Sequence, residues 1–127
     1  ITLIHLEIMP SASDETALRA APSIFSTALN SHIRSVDIPA RTKNVYFLLL
    51  PTTDANGGRA ICERLLSVVR NRFETLDGKT VTISLHLGFA SHPGGESLSQ
   101  ETLFEQAASA LKQSKFKGAN TYVVFSG

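Results

Sequence analysis

The sequence predicts an α+β fold, a mostly antiparallel sheet flanked by helices, and three observations carry that expectation. Five short runs are apolar and rich in β-branched residues, three longer segments repeat their apolar residues at helical spacing, and turn formers separate them. At 127 residues, 43% hydrophobic and 18% charged, the chain has the size and balance of one globular domain with a single core.

Thr2 to Ile8 is rich in Ile and Leu and stops at Met9-Pro10, as a buried strand would. Ser11 to Ala21 is polar and Ala-rich, with Ser13 or Asp14 as capping candidate, and Pro22 suits the first turn of the next helix. Ile24, Phe25, Ala28, Leu29 and Ile33 then share one helical face, which predicts a helix ending near Arg34. Val36 to Arg41 reads as extended, Thr42-Lys43-Asn44 as a hairpin turn, and Val45 to Leu50 as a central strand, apolar throughout.

After Pro51 and the polar loop Thr52 to Gly58, the spacing of Ala60, Ile61, Leu65, Leu66 and Val69 predicts a second helix running to about Phe73. Asp77-Gly78 makes a turn, Thr80 to Ala90 a long strand, and His92-Pro93-Gly94-Gly95 ends it. Gln100 to Lys115 is a third helix with Leu103, Phe104, Ala107, Ala110 and Leu111 on its inner face, and Tyr122 to Phe125 closes the chain as an edge strand. The order β-α-β-β-α-β-α-β contains the ferredoxin-like split unit, whose helices lie on one face of the sheet.

A formal charge of +1, with seven Arg, five Lys and eleven acids scattered along the chain, leaves no basic block to neutralise phosphates, so no nucleic acid polymer is an expected partner. Cys62, without a second thiol to pair with, reads as a small buried hydrophobe in a reducing compartment. His5, His32, His86 and His92 show no ligand spacing, and no metal site is expected from them. No apolar run approaches the ~20 residues of a membrane span, so we expect a cytoplasmic domain without direct membrane insertion. Because the chain opens at Ile1 inside a strand-like run, residues 1–127 are expected to be one domain excised from a longer multidomain protein.

Specific motifs sharpen this picture. Arg34-Ser35-Val36-Asp37, then Pro39-Ala40-Arg41, lead into Lys43-Asn44-Val45-Tyr46-Phe47 and an apolar strand closed by Pro51. Ile83-Ser84-Leu85-His86-Leu87-Gly88-Phe89-Ala90 follows, then Ser114-Lys115-Phe116-Lys117-Gly118-Ala119-Asn120. In order and spacing these resemble the motifs of the GGDEF (diguanylate cyclase) family over the last three-quarters of the chain. The resemblance implies a nucleotide-cyclase palm.

In that register Lys43 to Phe47 fill the five signature positions, and only Phe47 matches. Joining two GTP molecules needs carboxylates that hold metal ions at the hairpin and on the first strand. Val45 stands at the hairpin metal position, Tyr46 replaces the acid beside it, and Lys43 and Asn44 replace the paired glycines. The first-strand position falls on His5 or Glu7. Lys115 matches a phosphate-binding lysine of the family, but Ala119 stands where an arginine is expected, and the segment between Pro10 and Pro22 is shorter and lacks the guanine-reading Asn-Asp. The expectation is a degenerate domain, not an enzyme, with no catalytic residues and no cofactor.

The resemblance also implies a second, product-binding site. Arg34, Asp37 and Arg64, the last thirteen residues after Pro51, fall on its positions, and Arg41 is a possible secondary contributor. The ligand that the resemblance implies is cyclic di-GMP, and the residue types agree with it: a bidentate Arg suits guanine N7 and O6 and a carboxylate suits guanine N1/N2. The expected function is a signalling receptor acting through other domains of the same chain or a protein partner, as in regulators of exopolysaccharide production or secretion. Two other readings stand beside it. One is a protein-interaction or dimerisation scaffold, in which Arg34 and Asp37 form a surface ion pair contributing about 0 to 1 kcal/mol. The other is an allosteric GTP-binding domain that uses Lys115 in the old cleft.

Overall fold

The computed structural model describes residues 1–94 and 99–126; Gly95 lies outside them. Its elements are β1 (Thr2–Ala12), α1 (Glu15–Asn30), β2 (Ile38–Thr42), β3 (Val45–Leu50), α2 (Ala55–Val69), β4 (Phe73–Glu74), β5 (Thr80–Ser91), α3 (Gln100–Lys117) and β6 (Thr121–Val124). The strands form one sheet in the order β2-β3-β1-β5-β4, and β6 joins β5 in parallel. Every other pairing is antiparallel.

The sheet is covered on both faces. Ile4, Leu6, Ile8, Leu48, Leu50, Leu85, Leu87 and Phe89 point at α1 and α2, where they meet Phe25, Leu29, Ile61 and Leu65 in the main core. The opposite pleat, with Leu3, Leu49 and Ala90, packs on Leu103 and Ala107 of α3. Two helices therefore share one face, as the split unit requires, and the third lies across the other. Phe104 lies at the margin of the α3 layer, 39% exposed, rather than in its core.

Several boundaries differ from the sequence expectation: α2 already begins at Ala55, inside the expected loop Thr52 to Gly58, and four other differences have a visible reason. Pro10 does not end β1, because pairing with β3 stops at Glu7 while pairing with β5 continues to Ala12, so Pro10 occupies a stretch with an open edge. Pro22 is not in the first turn of α1 but inside the helix, which starts after the Asp14 cap; the Asp14 carboxylate accepts from the Ala17 N–H at 3.0 Å. Buried Ala17, Ala21, Phe25 and Leu29, spaced four apart, hold α1 together through the proline. The Tyr46 hydroxyl also donates to the Pro22 carbonyl at 2.7 Å.

The same helix stops at Asn30, not Arg34. In a longer helix the Arg34 N–H would bond the Asn30 carbonyl, but it donates instead to the Asp37 carboxylate at 2.8 Å. Finally α2 ends at Val69, and Phe73, one helical turn beyond, pairs with Val81 in the short strand β4. At the other end of the chain, Asn120 stitches the turn after α3 to β5: its N–H donates to the Leu85 carbonyl at 2.7 Å and its Oδ1 accepts from the Leu85 N–H at 2.9 Å.

Candidate functional site

Two places carry the motif residues. The first is the β2–β3 hairpin with the stretch of β1 beside it. Lys43 turns the hairpin at φ 57°, in the left-handed region that favours glycine. Val45 leads β3, and the register that the sequence left open is now defined: Glu7 lies opposite Val45, and His5 lies opposite Phe47. Glu7 is held by Lys115 from the last turn of α3, with Nζ 2.5 Å from Oε1.

His5 stacks on Phe47 at 4.2 Å between ring centroids, and its Nδ1 is buried with no hydrogen-bond partner among the described residues. Tyr46 points to the other face, buried against Phe25. A groove of about 440 Å³ beside the hairpin is lined by Pro10, Leu18, Arg19, Pro22 and Asn44.

Burial holds His5 below the ordinary imidazole value of 6.5, helped by Lys115 and opposed by Glu7. A histidine whose folded pKa is lowered takes up its proton more readily in the unfolded chain, so folding stability should decline as pH falls below 6.5. Urea midpoints measured between pH 7 and 5 should show that slope in the wild type and lose it in His5→Phe; an unchanged slope in the variant would remove His5 as its source. Asp14 titrates in a lower window, because Lys79 holds its carboxyl below the usual value of 3.8.

The second place is the corner after α1. Arg34 and Asp37 face each other across one turn. The Asp37 carboxylate, whose side chain is only 1% exposed, accepts from the Arg34 N–H at 2.8 Å and from Arg34 Nη2 at 3.3 Å. Nη2 also donates to Thr53 Oγ1 at 2.7 Å. The guanidinium side chain is still 53% exposed, and its Nε and Nη1 donate to no group among the described residues. It is thus anchored on one side and open on the other.

Arg64 is exposed on α2 and makes no hydrogen bond or ion pair with Arg34 or Asp37 among the described residues. It lies seven residues, two helical turns or about 10 Å, beyond Gly57 on the same flank of the helix. That flank begins at Thr53, since a Cβ built on Gly57 would fall 2.6 Å from Thr53 Cγ2. Arg41 sits on the exposed strand β2 and lines a separate groove of about 190 Å³ with Ser26, Leu29, Pro39 and Tyr46. The structure therefore brings Arg34 and Asp37 into contact, starts the flank of Arg64 at their third partner, and leaves Arg41 elsewhere.

Thr53 was not singled out by sequence reasoning. It reads there as one more polar residue of the loop after Pro51, and its only signal is its place just before the Asp54 cap of α2.

A family model described as "Diguanylate cyclase, GGDEF domain" matches residues 23–121. No curated protein matches the chain. Among solved structures, an EAL/GGDEF domain protein from M. capsulatus superposes with a TM-score of 0.72 at 22% identity, over 99% of this chain and 84% of that one. The diguanylate cyclase SiaD of Pseudomonas aeruginosa, solved with its activator SiaC, gives 0.76 at 20% identity over 97% of this chain, which spans 49% of SiaD. The coiled coil and GGDEF domain of DgcB from Caulobacter crescentus, solved with c-di-GMP, gives 0.72 at 13% identity over 97% of this chain and 69% of that one.

At these identities the structural likeness shows a shared fold, while the family match covers most of the sequence. This chain belongs to the diguanylate cyclase GGDEF domain family.

Proposed function

We propose that the domain is a receptor for cyclic di-GMP that performs no cyclase chemistry of its own. The observation that carries this reading is the contrast between the two places. At the hairpin, Glu7 faces an aliphatic side chain and is already neutralised by Lys115. That donor set does not fit a pair of divalent cations bridging phosphates, which calls for several oxygen ligands. At the corner after α1, a half-exposed guanidinium is braced by a buried carboxylate.

Guanine presents N7 and O6 acceptors to the open edge of that arginine, and Arg64 adds a second guanidinium from α2 for the other base or a phosphate. The DgcB GGDEF domain, of the same fold, was solved with c-di-GMP. The output is relayed through attached domains or a protein partner, in the cytoplasm, and control of exopolysaccharide production or secretion is the proposed setting. No helix among the described residues is long and apolar enough to cross a membrane.

Titration calorimetry tests the reading. The wild type should release or absorb heat with cyclic di-GMP, and Arg34→Ala should bind about tenfold or more weakly, the loss of a contact contributing roughly 1 to 3 kcal/mol. A wild type that gives no heat would leave the scaffold reading in its place. A magnesium-dependent response to GTP that survives Arg34→Ala but not Lys115→Ala would favour the allosteric GTP reading.

A further inference from the structure

We infer that Thr53 is a positioning residue of this receptor site: its hydroxyl, together with Asp37, holds the Arg34 guanidinium in one orientation before any ligand arrives. The inference rests on the receptor reading and deepens it, because it says how a half-exposed arginine is kept ready.

A free arginine side chain is among the most flexible in a protein, and immobilising such a rotamer-rich side chain on binding costs affinity. Arg34 has surrendered that freedom already. Its Nη2 is shared between Asp37 Oδ1 at 3.3 Å and Thr53 Oγ1 at 2.7 Å, so the shorter of the two contacts is the one to threonine. Asp37 lies three residues away on the same turn, whereas Thr53 comes from beyond β3, and two acceptors from different elements define the plane of the guanidinium where one would leave it free to swing.

Thr53 is itself fixed. It is 8% exposed, its carbonyl accepts from Thr2 Oγ1 at 2.8 Å, and its N–H donates to the Leu50 carbonyl at 3.3 Å. Its methyl group occupies the space where a Cβ at position 57 would stand, 2.6 Å away. Gly57 therefore leaves room for the rotamer that turns the methyl toward α2 and the hydroxyl toward Arg34.

Four variants, each titrated calorimetrically with cyclic di-GMP and melted in its absence, test the inference. Thr53→Val keeps the shape and the backbone bonds to Thr2 and Leu50 but removes the hydroxyl; it should bind about 3- to 10-fold more weakly, the immobilisation cost returning. Thr53→Ser restores the hydroxyl and should bind within about twofold of wild type, which a purely structural role of the threonine methyl would not produce. Gly57→Ala should weaken binding although alanine is the better helix former, because its Cβ displaces the Thr53 methyl.

Arg34→Ala separates the two claims. If it weakens binding while Thr53→Val matches wild type, the positioning role is overturned and the receptor reading stands. If Arg34→Ala matches wild type, or the wild type does not bind, both fail. Equal weakening in Thr53→Val and Thr53→Ser also overturns the role, since the hydroxyl would then not matter.

Discussion

Gly88→Ala is expected to destabilise the domain by about 3 kcal/mol or more and to loosen α3 from the sheet. A Cβ at position 88 would stand 2.0 Å from the Leu111 nitrogen, 2.3 Å from the Ala110 carbonyl carbon and 2.6 Å from the Leu111 Cα. All three are backbone atoms of α3, so no rotamer change relieves the clash, and the helix must lift or the strand must bend. Overpacking a core ordinarily costs about 1 to 3 kcal/mol, and a clash with rigid backbone belongs at the top of that range or beyond. Against a typical domain stability of about 5 to 15 kcal/mol, that is a large share.

The close approach has a sequence basis on both sides. Gly88 faces a helix whose inward positions include Ala107 and Ala110, both fully buried, and small residues let the helix backbone come down onto the strand. Since α3 also delivers Lys115 to Glu7, lifting it would open the hairpin face. Urea denaturation should show the lowered midpoint, and amide exchange should show faster opening in α3 than in α1. An unfolding free energy within about 0.5 kcal/mol of wild type, the range of ordinary surface changes, would contradict the geometry.

How much of this was legible in the sequence depended on how far each cause lies along the chain. The hairpin and β3 were readable because Lys43-Asn44 and the run Val45 to Leu50 carry their own turn and burial signals, and the run is apolar throughout because both faces of the sheet are covered. The onset of α1 was misplaced because a proline in a helical pattern normally marks a boundary, while Pro22 is retained by packing from Tyr46 and by the apolar face around Phe25, which only the fold supplies. Phe73 continued the period of α2 by four residues from Val69 and yet belongs to β4, since its partner Val81 lies across a turn.

The site divides in the same way. Arg34 and Asp37, three apart, could be paired by spacing alone; Thr53 could not, because its bond to Arg34 crosses nineteen residues and depends on where β3 delivers the next loop. The choice between His5 and Glu7 was closed to sequence reasoning for a further reason. Residues two apart on a strand share a face, so both fit the pattern equally well, and only the pairing with β3 tells them apart.

Asp37→Ala should lower both ligand binding, by about tenfold, and stability, the largest combined effect of any single change at the corner. Two roles meet in this carboxylate. It accepts the Arg34 N–H, which is the bond that ends α1, and it braces the Arg34 guanidinium. Alanine leaves the Arg34 N–H unpaired, at a cost of about 1 to 3 kcal/mol. Binding then loses the ready orientation of Arg34, and about 1.4 kcal/mol corresponds to a tenfold loss.

Asp37→Asn separates these roles. Its amide oxygen can still accept the Arg34 N–H, so the melting temperature should stay near wild type, while the lost charge weakens the hold on Arg34 and should lower affinity about threefold. Combining Asp37→Ala with Arg34→Ala should cost clearly less than the sum of the two single changes, because the first already frees what the second removes. Should Asp37→Ala prove less stable and yet bind cyclic di-GMP at wild-type strength, the pair would be a turn cap and nothing more, and the receptor site would have to be sought away from this corner.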